Sequence, residues 1–136
     1  MNITDVTSYI ASISRQRSLN TYYGDIPDTK TITVLVQTDE GITGIGQTLS
    51  HSPHYGDTAE SIKANIDNYI KPAILGKNPF DIEYIFELMY KSIGKSTRYP
   101  VTAIEFALWD IKGKALNVPV YNLLGGKCNE GAPLHG

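Results

Sequence analysis

The stretch from Pro100 to about Leu116 constrains this 136-residue chain more than any other. Val101, Ala103, Ile104, Phe106, Ala107, Leu108, Trp109 and Ile111 cover most of the circumference of a helix, and Asn117 and Pro119 end it. A helix apolar nearly all round is buried on more than one side, so it needs cover from two directions. Its polar residues do not converge. Glu105 and Asp110, five positions apart, are offset by about 140° around a helix of roughly 3.6 residues per turn, which argues against a paired-carboxylate site. Asp110 is instead placed to pair with Lys114 at i,i+4.

The residues before that helix change texture near Asp57. Up to about Leu49, β-branched residues cluster in short runs. Ile3 to Ile13 is strand-like, and Thr31 to Thr38 is the clearest strand, with Ile32, Val34 and Val36 on one face. Asp39-Glu40-Gly41 makes a tight connection, and Ile42 to Thr48 returns as its second arm. Three sequential strands predict an antiparallel meander.

From Asp57 the period is helical. Asp57 and Glu60 are spaced as an N-cap and N3 pair, and Ile62, Ile66, Tyr69 and Ile70 form one apolar stripe. Pro72 disturbs this helix and Gly76 ends it. Pro79 and Asp81 open a second, with Ile82, Ile85, Phe86 and Met89 inward and Gly94 as its stop. Val120 to Leu124 is read as one further short turn. Strands first and helices after predict an α+β class: a three-stranded antiparallel meander followed by a bundle of three to four helices.

Twelve basic against fourteen acidic residues give a formal charge of −2, which argues against a general nucleic-acid binder. No apolar run approaches the ~20 residues that cross a bilayer, and Met1 to Asp5 does not open like a signal peptide. One cysteine, Cys128, excludes an internal disulfide and carries no cue of a nucleophile. The expectation is a soluble cytoplasmic domain without nucleic-acid or membrane partners.

Two polar clusters are candidate ligand contacts. Arg15, Arg17, Tyr22 and Tyr23 stand among Asn20, Gly24, Asp25 and Pro27, a composition expected in an exposed, mobile loop. Basic and phenolic groups there suit an anionic, hydroxylated ligand; the alternative is that the tyrosines pack against the loop's own base. His51, His54 and Tyr55 form the second cluster. His51-x-x-His54 has no third metal ligand nearby, so ligand contact or ordinary surface histidines are the readings left. Gly41-x-x-Gly44-x-Gly46 lies inside a hairpin, not between strand and helix, so it is read as room for close approach by a neighbouring element.

Three pieces carry a family resemblance. They are the hairpin Asp39-Glu40-Gly41-Ile42-Thr43-Gly44-Ile45-Gly46, the run Ile62 to Ile66 followed by Ile74 to Pro79, and Ala103 to Lys114 followed by Pro119 to Gly126. In this order the chain resembles the N-terminal capping domain of the mandelate racemase/muconate lactonizing group of the enolase superfamily. The resemblance implies residues 1–126 as capping domain and residues 127–136 as linker and start of a first barrel strand, the remaining (β/α) barrel being absent from this chain. It implies a longer magnesium-dependent racemase, acid-sugar dehydratase or cycloisomerase, its barrel holding Mg2+ and the bases that take the proton α to a carboxylate. No catalytic or metal residue is expected in this segment, which alone is expected to be inactive. Two loops, about Arg15 to Asp28 and Ser50 to Gly56, would close over a small carboxylate substrate, making Arg15, Tyr22, Tyr23, His51, His54 and Tyr55 the substrate-binding candidates. The capping domain's partners would be its own barrel and further copies in a homo-oligomer, and Gly113 is expected to mark packing against another element such as the barrel. A stand-alone small-anion binding module and a degenerate assembly domain are the alternatives.

Overall fold

The computed structural model describes residues 1–22, 24–50 and 56–131, with backbone alone for Leu19, Ile26 and Pro27. Three strands come first: β1 (Ile3–Thr21), β2 (Gly24–Thr38) and β3 (Thr43–Leu49). They pair antiparallel in the order β1-β2-β3, the expected meander. Ile32, Val34 and Val36 of β2 are buried on the face that the helices cover.

The first helical arm runs through α1 (Ala59–Asn65), a π turn (Ile66–Ile70) and α2 (Lys71–Ile74). Besides Ala59 at its start, its buried residues are Ile62, Ile66, Ile70 and Ile74, one every four positions. On an ideal α-helix a spacing of four drifts by about 40° per step. The wider π turn, in which the Lys71 amide donates to the Ile66 carbonyl, takes up that drift and keeps all four isoleucines inward. The same change of pitch corrects the expected stripe: Tyr69 is exposed. The start also differs from the expected Asp57–Glu60 pair. Thr58 is the N-cap, its Oγ1 accepting from the Ser61 amide at 3.1 Å while Ser61 Oγ accepts from the Thr58 amide at 3.0 Å. A hydroxyl pair meets both orphan donors within one turn, so Asp57 stays outside the helix.

Helix α3 (Ile82–Ile93) buries Ile82, Ile85 and Met89 and stops at Gly94, and α4 (Tyr99–Leu116) is the central helix. Asn117 ends α4 in the left-handed region at φ 53°, which asparagine tolerates. A short α5 (Val120–Leu123) follows. Gly113 marks packing against another element, as expected, and that element is the start of α5: a Cβ there would lie 3.0 Å from the Val118 carbonyl and 3.1 Å from the Val120 side chain. The chain folds back across α4 at that point.

Helix α4 lies directly on β3. A Cβ at Gly46 would lie 1.8 Å from the Ala103 carbonyl, and one at Gly44 2.1 Å from the Ala107 carbonyl. Backbone therefore packs on backbone, with Ala103, Ala107 and Ile111 of α4 buried in the joint. This is the close approach predicted for the hairpin glycines. Away from the sheet, Phe106 on α4 remains 53% exposed.

Candidate functional site

The segment read as a loop from Arg15 to Asp28 is a β-ribbon. β1 and β2 continue past the covered part of the sheet to a tip at Thr21 and Gly24, which pair with each other. The two strands slip register there, residues 15–18 standing opposite residue 27 alone between the pairs Ser14–Asp28 and Leu19–Ile26. Thr21 Oγ1 donates to the Gly24 carbonyl at 2.8 Å, and Gly24 turns the chain with φ 108°. The sequence signal was weak because neither arm alternates apolar with polar residues, as a half-buried strand does.

Arg15 is exposed on β1, and its Nε donates across the ribbon to Thr29 Oγ1 at 2.8 Å. Arg17 is exposed on the same strand. Tyr22, at the tip, is 97% exposed, so its ring is not packed at the base of the ribbon. Tyr23, His51, His54 and Tyr55 lie outside the described residues.

The two candidate segments start from one end of the sheet. The ribbon leaves the covered region where Ser12 pairs with Lys30, and the adjoining row joins Thr31 to Leu49, the last residue of β3. Ser50 follows, its amide donating to the Lys30 carbonyl at 3.0 Å and its Oγ to the Asp57 carbonyl at 3.0 Å. Ser50, which opens the second segment, and Asp57, just past its end, are thus tied together beside the base of the ribbon. Lys30 Nζ meets Glu60 at 2.7 Å at the same place, and this hydrogen bond lowers the Glu60 carboxyl pKa. Burial shifts Asp57 the opposite way, raising its carboxyl above the ordinary value.

The carboxylates do not gather into a metal centre. Among the described residues no group of three or more His, Cys, Asp or Glu side chains is arranged to hold an ion. Asp5, Glu60, Asp67 and Asp110 are each paired with a lysine at 2.6–2.7 Å. A magnesium ion needs several oxygen ligands in octahedral array, and this donor set does not fit one. Nor is any helix of the described residues long and apolar enough to cross a membrane.

Residues 5–125 match the family model of the mandelate racemase / muconate lactonizing enzyme N-terminal domain. The chain is 36% identical over 135 residues to N-succinyl-L-Arg/Lys racemase of Bacillus cereus, covering 98% of this chain and 36% of the relative. The crystal structure of that racemase superposes with a TM-score of 0.91 over 96% of this chain and 35% of the other. A dipeptide epimerase from Enterococcus faecalis, crystallised with Mg and L-Leu-L-Tyr, gives a TM-score of 0.88 at 30% identity, covering 93% and 35% of the two chains. D-mannonate dehydratase of Rhizorhabdus wittichii is 32% identical over 114 residues, covering 81% of this chain and 27% of the relative. The chain thus spans 27–36% of the length of these curated relatives. On its sequence and its fold, it belongs to the mandelate racemase/muconate lactonizing enzyme N-terminal domain family of the enolase superfamily.

Proposed function

We propose that this chain is the substrate-capping portion of a longer, magnesium-dependent enzyme that removes the proton α to a carboxylate, as a racemase or epimerase, a dehydratase or a cycloisomerase. Residues 1–126 form the cap in this reading, and residues 127–136 lead into the barrel. The observation that carries the proposal is the common origin of the ribbon and the segment between Ser50 and Gly56 at one end of the sheet. In this reading the two segments, which leave the sheet at one end, cover one opening.

The chain's part in the chemistry is covering, not proton transfer. Arg15 and Arg17 hold fixed positive charge on the ribbon and suit a carboxylate, while Tyr22 and Tyr23 offer flat rings with a hydroxyl handle. His51, His54 and Tyr55 would add polar contacts from the second segment. Covering the substrate excludes water and strengthens each charge interaction beneath the cap. Magnesium and the bases belong to the barrel portion, and the complete protein is proposed to be a cytoplasmic homo-oligomer without nucleic-acid or membrane partners.

The test is α-proton exchange in deuterated water by the complete protein with magnesium, on a panel of N-acyl amino acids, dipeptides, sugar acids and muconolactone. Exchange with one class is expected. Tyr22→Ala and Tyr23→Ala should lower kcat/KM for that class about tenfold while melting temperature and magnesium affinity hold. Absence of exchange across the panel overturns the reaction class. Unchanged kcat/KM with a lowered melting temperature overturns the capping role.

A further inference from the structure

Among the described residues β3 is an edge strand, since the sheet ends there. Edge strands present unpaired N–H and C=O groups to any strand that can add. Two such groups point away from β2 on either side of Gly44: the Thr43 carbonyl and the Ile45 amide. Neither is bare. Lys114 Nζ donates to the Thr43 carbonyl at 2.7 Å, and Asp110 Oδ2 accepts from the Ile45 amide at 2.8 Å. The two side chains meet at 2.6 Å. In a parallel ladder one residue of the incoming strand donates to the carbonyl before its opposite residue and accepts from the amide after it. The lysine–aspartate pair makes both of those bonds.

We infer that the Asp110–Lys114 pair of α4 stands in for an absent fourth strand at the β3 edge, and so keeps a second copy of this chain from adding there. The hazard it meets is visible beside it: Ile45 is 53% exposed at this edge. The opposite edge carries half of this device, its carbonyl bond, while Asp67 accepts from the Ser8 hydroxyl and not from a backbone amide. On β1, Lys63 Nζ donates to the Ser8 carbonyl at 2.8 Å and is bound to Asp67 at 2.6 Å, again an i,i+4 pair from a helical arm. Further along β1, Ile3 exchanges backbone bonds with Gly76 and Lys77. An exposed i,i+4 ion pair adds little stability by itself, so its use lies in which contacts it forbids.

The inference is independent of the proposed activity and is tested on this chain. Asp110→Ala/Lys114→Ala is compared with the parent and with Glu87→Ala/Lys91→Ala, which removes an exposed i,i+4 pair of α3. Two readouts are taken: hydrogen exchange at the Ile45 amide in dilute solution, and the association constant from sedimentation. The double alanine variant should exchange at Ile45 at least tenfold faster and associate at least tenfold more tightly than the parent, while the α3 control matches the parent. Asp110→Asn/Lys114→Arg, which keeps an acceptor and a donor, should return both readouts towards parent values. If the double variant does not fold, Lys114→Ala alone is measured with the same expectations. A folded variant with parental association, or an equal rise in the α3 control, overturns the inference.

Discussion

The meander has two ends built on different terms. In its covered part, Ile32, Val34 and Val36 are fully buried, and α4 approaches β3 so closely that two glycines must carry no Cβ. In the ribbon beyond Ser12 and Lys30, residues 13–18 are all exposed, and the register slips by several residues. Register is strongly specified where one face is buried, because a one-residue shift would turn every core side chain to water. None of the ribbon's described side chains is buried to enforce that, and its ladder, its Gly24 turn and the Arg15–Thr29 and Thr21–Gly24 bonds hold it. The comparison teaches where change is tolerated: ribbon side chains can vary without disturbing a core, while those of the covered sheet cannot.

The sharpest break of this contrast is Ile104→Ala, at a fully buried position of α4. It is expected to cost about 4 kcal/mol by denaturant unfolding, because transfer and cavity losses add. Gly46→Ala comes next, at about 3 kcal/mol in the same measurement: its methyl would enter backbone atoms of α4, which cannot swing aside as a side chain can. A cost below about 1 kcal/mol would show that α4 slides freely on β3.

Gly24→Ala tests the ribbon with the same chemical change. Nothing lies within 4 Å of the added methyl, so the penalty is the positive φ of 108° alone, about 1–3 kcal/mol. It should appear as faster hydrogen exchange in the ribbon amides, with those of the covered strands unchanged. Equal loosening of both parts would erase the distinction.

The smallest effect is expected at Asp57, between the two parts. Burial raises its carboxyl above the ordinary 3.8, so the folded chain holds that proton more tightly than the unfolded chain. The ionised group therefore subtracts stability above its folded pKa and none below 3.8. Asp57→Asn should raise the melting temperature slightly at pH 7, and the gain should vanish as the pH falls through the carboxylate range. A gain that persists at acid pH would place its origin elsewhere.

Much of the fold was legible because local chemistry and burial agree there. Alternation marked β2, Gly41 marked the hairpin, Asp81 and Gly94 bounded α3, and Asn117 ended α4. The Asp110–Lys114 pair followed from helical spacing, but its bonds to β3 did not, since spacing along one helix says nothing of a strand about seventy positions away. The exposed positions of Arg15 and Tyr22 were anticipated; the strand they stand on was not. Tyr69 was misplaced for want of the π turn, whose pitch is set by what the four isoleucines must reach.

By itself, then, the sequence determined the order and kind of the elements, the identity of the helix that needs cover, and the family pattern of the hairpin and of α4. These follow from periodicity, turn chemistry and capping, which act over a few neighbouring residues. Tertiary structure alone decided that the two candidate segments leave the sheet at one end, that the ribbon is paired rather than looped, and that lysine–aspartate pairs of the helices meet backbone groups of β1 and β3. Those outcomes depend on contacts between residues far apart in the chain, where the free energy of a backbone bond or a buried face is settled only once the partners have met.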